Sequence, residues 1–131
     1  MNAEIMKEAQ AASESGKSTF PEVVSKLVAA DVESYFADLV RGEETFYMPS
    51  GETHVEKMSL PIGKIADEFS ESGIVSAIRA AQCDQIRYPE FVKRSRAAGV
   101  AAYWAFLTGK RVVYFGRKGE FHVEEFPRPK T

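Results

Sequence analysis

Residues 19–56, TFPEVVSKLVAADVESYFADLVRGEETFYMPSGETHVE, and residues 87–124, RYPEFVKRSRAAGVAAYWAFLTGKRVVYFGRKGEFHVE, are related at an offset of 68 positions without a gap. Fourteen of the 38 positions are identical, among them Pro21/Pro89, Tyr35/Tyr103, Ala37/Ala105, Leu39/Leu107, Gly51/Gly119, His54/His122 and Glu56/Glu124. An internal repeat of this length is a supersecondary unit that cannot bury its apolar face alone, so the two copies are expected to pack on each other. Each copy reads as helix, strand, strand, strand. The expected fold class is α+β: two tandem units forming antiparallel sheet covered by helices, related by a pseudo-two-fold, in a single domain spanning 1–131 with a helical connector at 57–86.

Working outward, Thr19 and Glu22 have the spacing of a capping box, and Phe20, Val23, Val24, Leu27 and Val28 form an apolar stripe at helical period. The second copy has Ser95 and Arg96 where Leu27 and Val28 stand, which predicts a more exposed last turn. Gly99 is placed to end its helix in the left-handed conformation, and Asp31 occupies the matching place. Tyr35, Ala37 and Leu39 alternate, as do Tyr103, Ala105 and Leu107, so these six define a shared core face. The connector carries two helical patterns, Ile62/Ile65/Ala66/Phe69 and Ile74/Ala77/Ile78/Ala81, the second behind a Ser72 cap. Residues 1–17 read as a short amphipathic helix, and the tail FPRPKT as an extended, partly disordered end.

The hairpins YMPSGETHVE and YFGRKGEFHVE, matched at their tyrosines, differ by one residue. A two-residue Ser50-Gly51 turn and a three-residue Arg117-Lys118-Gly119 loop would close them. That register pairs Tyr47 with His54 and Tyr114 with His122 on a solvated face with Glu56 and Glu124. It turns Phe46, Met48, Val55, Phe115, Phe121 and Val123 inward. Histidine and carboxylate two apart on a strand suit a divalent metal or a carboxylate-oriented imidazole, and equally suit a polar sheet face held by cross-strand pairs. Trp104 and Phe106, whose counterparts are Phe36 and Asp38, are either centres of the core or contact aromatics of a cleft or dimer interface.

With 17 basic and 19 acidic residues the formal charge is −2, which disfavours generic nucleic-acid binding. A hydrophobic content of 44% with 27% charge fits a globular domain with a real core, and no stretch has the length of a signal peptide or membrane span. The single Cys83 reads as a buried small hydrophobe in a reducing cytoplasm. Nucleophile triads, zinc spacings and phosphate-cradling glycine loops are absent from the sequence, so no metal or cofactor is assigned.

The segments TFPEVVSKLVAADVESYFADL, FYMPSGETHVE and RVVYFGRKGEFHVE resemble the YdfO/YbcV-like family of small bacterial and prophage-associated proteins. The resemblance implies a compact α+β domain with antiparallel sheet in the cytoplasm, and no functional residues. The leading expectation is therefore a non-enzymatic binding or regulatory module holding a protein partner, a small ligand or a second copy. The alternative is a metal-dependent or acid-base enzyme in which His54 and His122 converge with Glu56 and Glu124.

Overall fold

The computed structural model describes residues 2–127. Its elements are α1 (Ala3–Glu14), α2 (Phe20–Ala29), β1 (Ser34–Asp38), β2 (Glu43–Tyr47), β3 (Thr53–Lys57), α3 (Glu71–Gln82), α4 (Tyr88–Ala97), β4 (Val100–Phe106), β5 (Arg111–Gly116) and β6 (Phe121–Glu125). All six strands form one antiparallel sheet in the order β3-β2-β1-β4-β5-β6. The fold is α+β, and residues 19–56 and 87–124 share one order of elements.

Local chemistry explains where each element starts and stops. The Thr19 hydroxyl accepts from the Glu22 amide while the Glu22 carboxylate takes the Thr19 amide, so the capping box forms. After α2 and α4 the chain turns through left-handed residues, Asp31 at φ 65° and Gly99 at φ 81°, as their positions in the repeat predict. The strands that follow meet at the centre of the sheet. There Phe36 lies opposite Trp104, its own counterpart at the offset of 68.

The six alternating residues named from the sequence do form the core face: Tyr35, Ala37, Leu39, Tyr103, Ala105 and Leu107 are all buried beneath the helices. Other expectations are corrected. Ser95 and Arg96 are buried rather than exposed, because Ser95 Oγ donates to the Phe91 carbonyl within the helix, and the Arg96 guanidinium donates to the carbonyls of Leu39 and Pro61. A long cation with five donors can thus occupy an interior position where carbonyls would otherwise go unpaired. Residues 62–69 form no helix. Their backbone instead follows the end of α4, with the Ala66 amide on the Arg96 carbonyl and the Ser70 amide on the Ala98 carbonyl. Ser70, not Ser72, caps α3 by accepting from the Gly73 amide. Cys83 is exposed at the end of α3 instead of buried. Of the tail, Phe126 packs edge-on against Phe20, and residues 128–131 lie outside the described residues.

The largest correction concerns the hairpins. Both close through three-residue loops, Pro49-Ser50-Gly51 and Arg117-Lys118-Gly119, with Gly51 at φ 93° and Gly119 at φ 88°. The Met48 amide bonds to the Glu52 carbonyl, and the Gly116 amide to the Glu120 carbonyl. Tyr47 therefore lies opposite Thr53, and Phe46 opposite His54, one residue from the expected register; Tyr114 does lie opposite His122. In the first hairpin β2 keeps the expected face, with Phe46 and Met48 inward, and only β3 is reversed; in the second both strands present the opposite face from that expected. Phe46, Met48, Val112 and Tyr114 are buried under the helices, with His54, Glu56, His122 and Glu124 on that same side, whereas Val55, Phe121 and Val123 are exposed. The helices select this face because Leu39 and Leu107 anchor it and strand alternation carries the choice across the whole sheet.

Candidate functional site

Between the helix layer and the buried sheet face lies a cavity of about 320 Å³, within the range of small-molecule sites. Its floor is Tyr35, Phe46, Tyr103 and Tyr114; its walls come from Ala9 and Gln10 on α1, Leu27 on α2, Ala81 on α3 and Phe91 on α4. The rings pack on one another, with centroids 5.7 Å apart for Tyr35/Phe46, 5.6 Å for Tyr103/Tyr114 and 6.2 Å for Phe91/Tyr114.

A carboxyl stands in this apolar space. Glu44 points inward from β2, 5% exposed, and accepts from the Tyr88 hydroxyl at 3.0 Å, which in turn meets the Tyr103 hydroxyl at 2.8 Å. Burial drives the Glu44 carboxyl up to about 7; the Tyr88 hydroxyl opposes that shift and nearby Glu14 adds to it. Burial likewise pushes the hydroxyls of Tyr35, Tyr88 and Tyr103 well above the ordinary tyrosine range, so all three keep their protons at neutral pH. Gln10 completes the polar set. Its amide nitrogen donates to the Lys57 carbonyl at 2.7 Å and to Glu14 at 3.2 Å, while its Oε1 is buried with no partner.

The residues singled out from sequence fall in three places. Tyr114 and Glu124 line the cavity. His54 Nε2 lies 2.7 Å from Glu56 on β3, and His122 bridges Glu71 at 3.0 Å and Glu124 at 3.3 Å, so each histidine is tied to the carboxylate two residues on. Burial raises the Glu124 carboxyl, but the Arg79 guanidinium and the His122 ring outweigh it and hold the group below its usual range. The two histidines do not converge. They sit on β3 and β6, the opposite edges of the sheet, about 24 Å apart at five strand spacings of about 4.8 Å, and cannot share one metal ion. Among the described residues no group of three or more His, Cys, Asp or Glu could hold a metal.

Tyr47, Trp104 and Phe106 lie on the other side of the sheet. Trp104 stacks between Tyr47 at 5.5 Å and Phe106 at 5.3 Å and meets Phe36 edge-on at 5.3 Å. None of these four belongs to the buried cluster or packs against it, so Trp104 and Phe106 are not centres of the core.

Glu44, Tyr88 and Gln10 were missed from sequence, yet one signal was present. Glu44 corresponds at the offset of 68 to Val112, a core valine on the strand adjoining β4, so a carboxyl occupies a position that is apolar in the other copy.

Residues 7–125 match the family described as "Protein of unknown function (DUF1398)". The chain belongs to that family. No curated protein matches it. No described helix is long and apolar enough to cross a membrane.

Proposed function

We propose that this DUF1398 family member is a non-enzymatic binding module that holds a compact, largely apolar small molecule in the cavity between helices and sheet. The observation that carries the reading is the combination of an aromatic-walled cavity of about 320 Å³ with an unpartnered buried acceptor, Gln10 Oε1, on its wall. A protein that only needed a core would fill that space, since each void loses packing contacts and each orphaned polar atom costs free energy. The resemblance to YdfO/YbcV-like proteins, the repeat with its facing Phe36/Trp104 pair and the exposed thiol of Cys83 support the finer reading. That reading is a single-domain tandem duplication about a local two-fold, related to those bacterial and prophage-associated proteins and working in the reducing cytoplasm. Indole, a neutral aromatic of suitable size, tests the cavity: it should raise the melting temperature of the wild type. Ala81→Phe, which fills the wall, should abolish the shift. No shift in the wild type, or an equal shift in the variant, would remove the cavity as the binding site.

The open sheet face favours a second reading for the partner, a second copy of this chain. Its two diagonal corners carry cross-strand ion pairs of opposite sense: Glu43 on β2 with Lys57 on edge strand β3, and Arg111 on β5 with Glu125 on edge strand β6. These are matching positions at the offset of 68 with their charges exchanged. Two such faces packed with strands crossing near 90° about a two-fold in the interface plane put Glu43 over the partner's Arg111, with the aromatic cluster around Trp104 between them. Sedimentation should show a dimer that Glu43→Arg or Arg111→Glu each weaken at least tenfold and that the double exchange restores. A monomer at every concentration, or a dimer indifferent to the single exchanges, would overturn it.

A further inference from the structure

We infer that the cavity takes an organic cation, an alkyl or arylalkyl amine whose ammonium lies among Gln10, Glu44 and the Tyr88–Tyr103 hydroxyls. The inference rests on the cavity being a binding site and adds the class of its ligand. Beside Glu44 two polar groups are left as acceptors. Gln10 has committed both amide protons, to Lys57 and Glu14, leaving a bare carbonyl oxygen. The hydroxyl chain runs from Tyr103 through Tyr88 to Glu44, so its protons point along the chain toward the carboxylate and its lone pairs are left over. A ligand with only acceptors would leave these lone pairs, the buried Gln10 Oε1 among them, without a donor, which is costly. An ammonium supplies three donors and a charge, and the faces of Tyr35, Tyr103 and Phe46 around it add cation–π attraction.

The charges around Glu44 point the same way. Glu14 faces it from α1 and Glu56 lies opposite on β3 beside His54; on the cavity wall Asp84 pairs with Arg87, the one basic residue lining the cavity among the described residues, and Glu124 pairs with Arg79 and His122. Tyr35, Tyr88, Tyr103 and Tyr114, the other titratable groups there, remain neutral and cannot balance a carboxylate. A cation entering the site ionises Glu44 by displacing its proton.

Calorimetry distinguishes the two levels of the argument. Benzylamine, 2-phenylethylamine and 4-phenylbutylamine are each titrated at pH 7 beside the alcohol and the carboxylate of the same skeleton. At least one amine should bind ten or more times tighter than its alcohol and release a fraction of a proton, seen as a binding heat that depends on the buffer's ionisation enthalpy. Glu44→Gln should remove both the preference and the proton release while the alcohol still binds. Alcohols binding as well as amines would overturn the cationic class and leave the cavity reading intact. Indole and all nine compounds failing to bind would overturn both.

Discussion

Gly99→Ala is expected to cost about 2–6 kcal/mol, whereas Gly119→Ala should cost about 1 kcal/mol, although both glycines have a positive φ. The shared part is the left-handed backbone, at 81° and 88°. The difference is what surrounds them. A β-carbon on Gly119 would meet nothing within 4 Å, but on Gly99 it would lie 2.3 Å from the Glu68 carbonyl oxygen and 2.9 Å from Phe69 Cα. Those are backbone atoms, held by the bonds from the Ala66 and Ser70 amides to the carbonyls of Arg96 and Ala98, so no side chain can rotate away. Asp31, the residue the other copy uses at this place, is exposed and shows that conformation alone does not demand glycine. Denaturant unfolding of Gly99→Ala, Gly99→Asp and Gly119→Ala measures the contrast. Equal losses at the two sites would mean that segment 66–70 yields, and that close approach contributes nothing.

The same comparison shows how much was legible in the sequence and where legibility stopped. Helix boundaries, left-handed stops and the inward alternation of Tyr35, Ala37 and Leu39 are local patterns that the repeat states twice, and they stand. The hairpin register was also stated, by the identity of Gly51 and Gly119 at the offset of 68, which requires loops of equal length. Matching Tyr47 to Tyr114 by residue type overrode it, and a slip of one residue moves a strand to the other face. Arg96 shows a limit of another kind. Its burial depends on the Leu39 and Pro61 carbonyls reaching it from 57 and 35 residues away, and no helical period contains that information. The cavity is likewise a product of helix docking. From sequence only its anomaly was visible: a glutamate in one copy where the other has a core valine.

That glutamate gives the second large effect, a stability that falls as the solution becomes alkaline. In the unfolded chain the Glu44 carboxyl titrates at its ordinary value of 4.5, while in the folded protein it is raised to about 7. A raised acid means that the folded state holds the proton more tightly, so the contribution is fully present below pH 4.5 and is lost as pH climbs through 7. A shift of this size corresponds to about 3 kcal/mol between the two limits. Glu44→Gln, which keeps the shape and the Tyr88 partner but cannot ionise, should flatten that segment of the pH profile and make the variant the more stable protein at pH 8.5. At pH 4 the two should be nearly equal. The measurement is a set of urea titrations from pH 4 to 9 on both proteins, away from any ligand. A wild type whose advantage over the variant grows with pH would mean that the carboxylate, not the acid, is the form the fold prefers, and with it would go the argument that an incoming cation is what ionises Glu44.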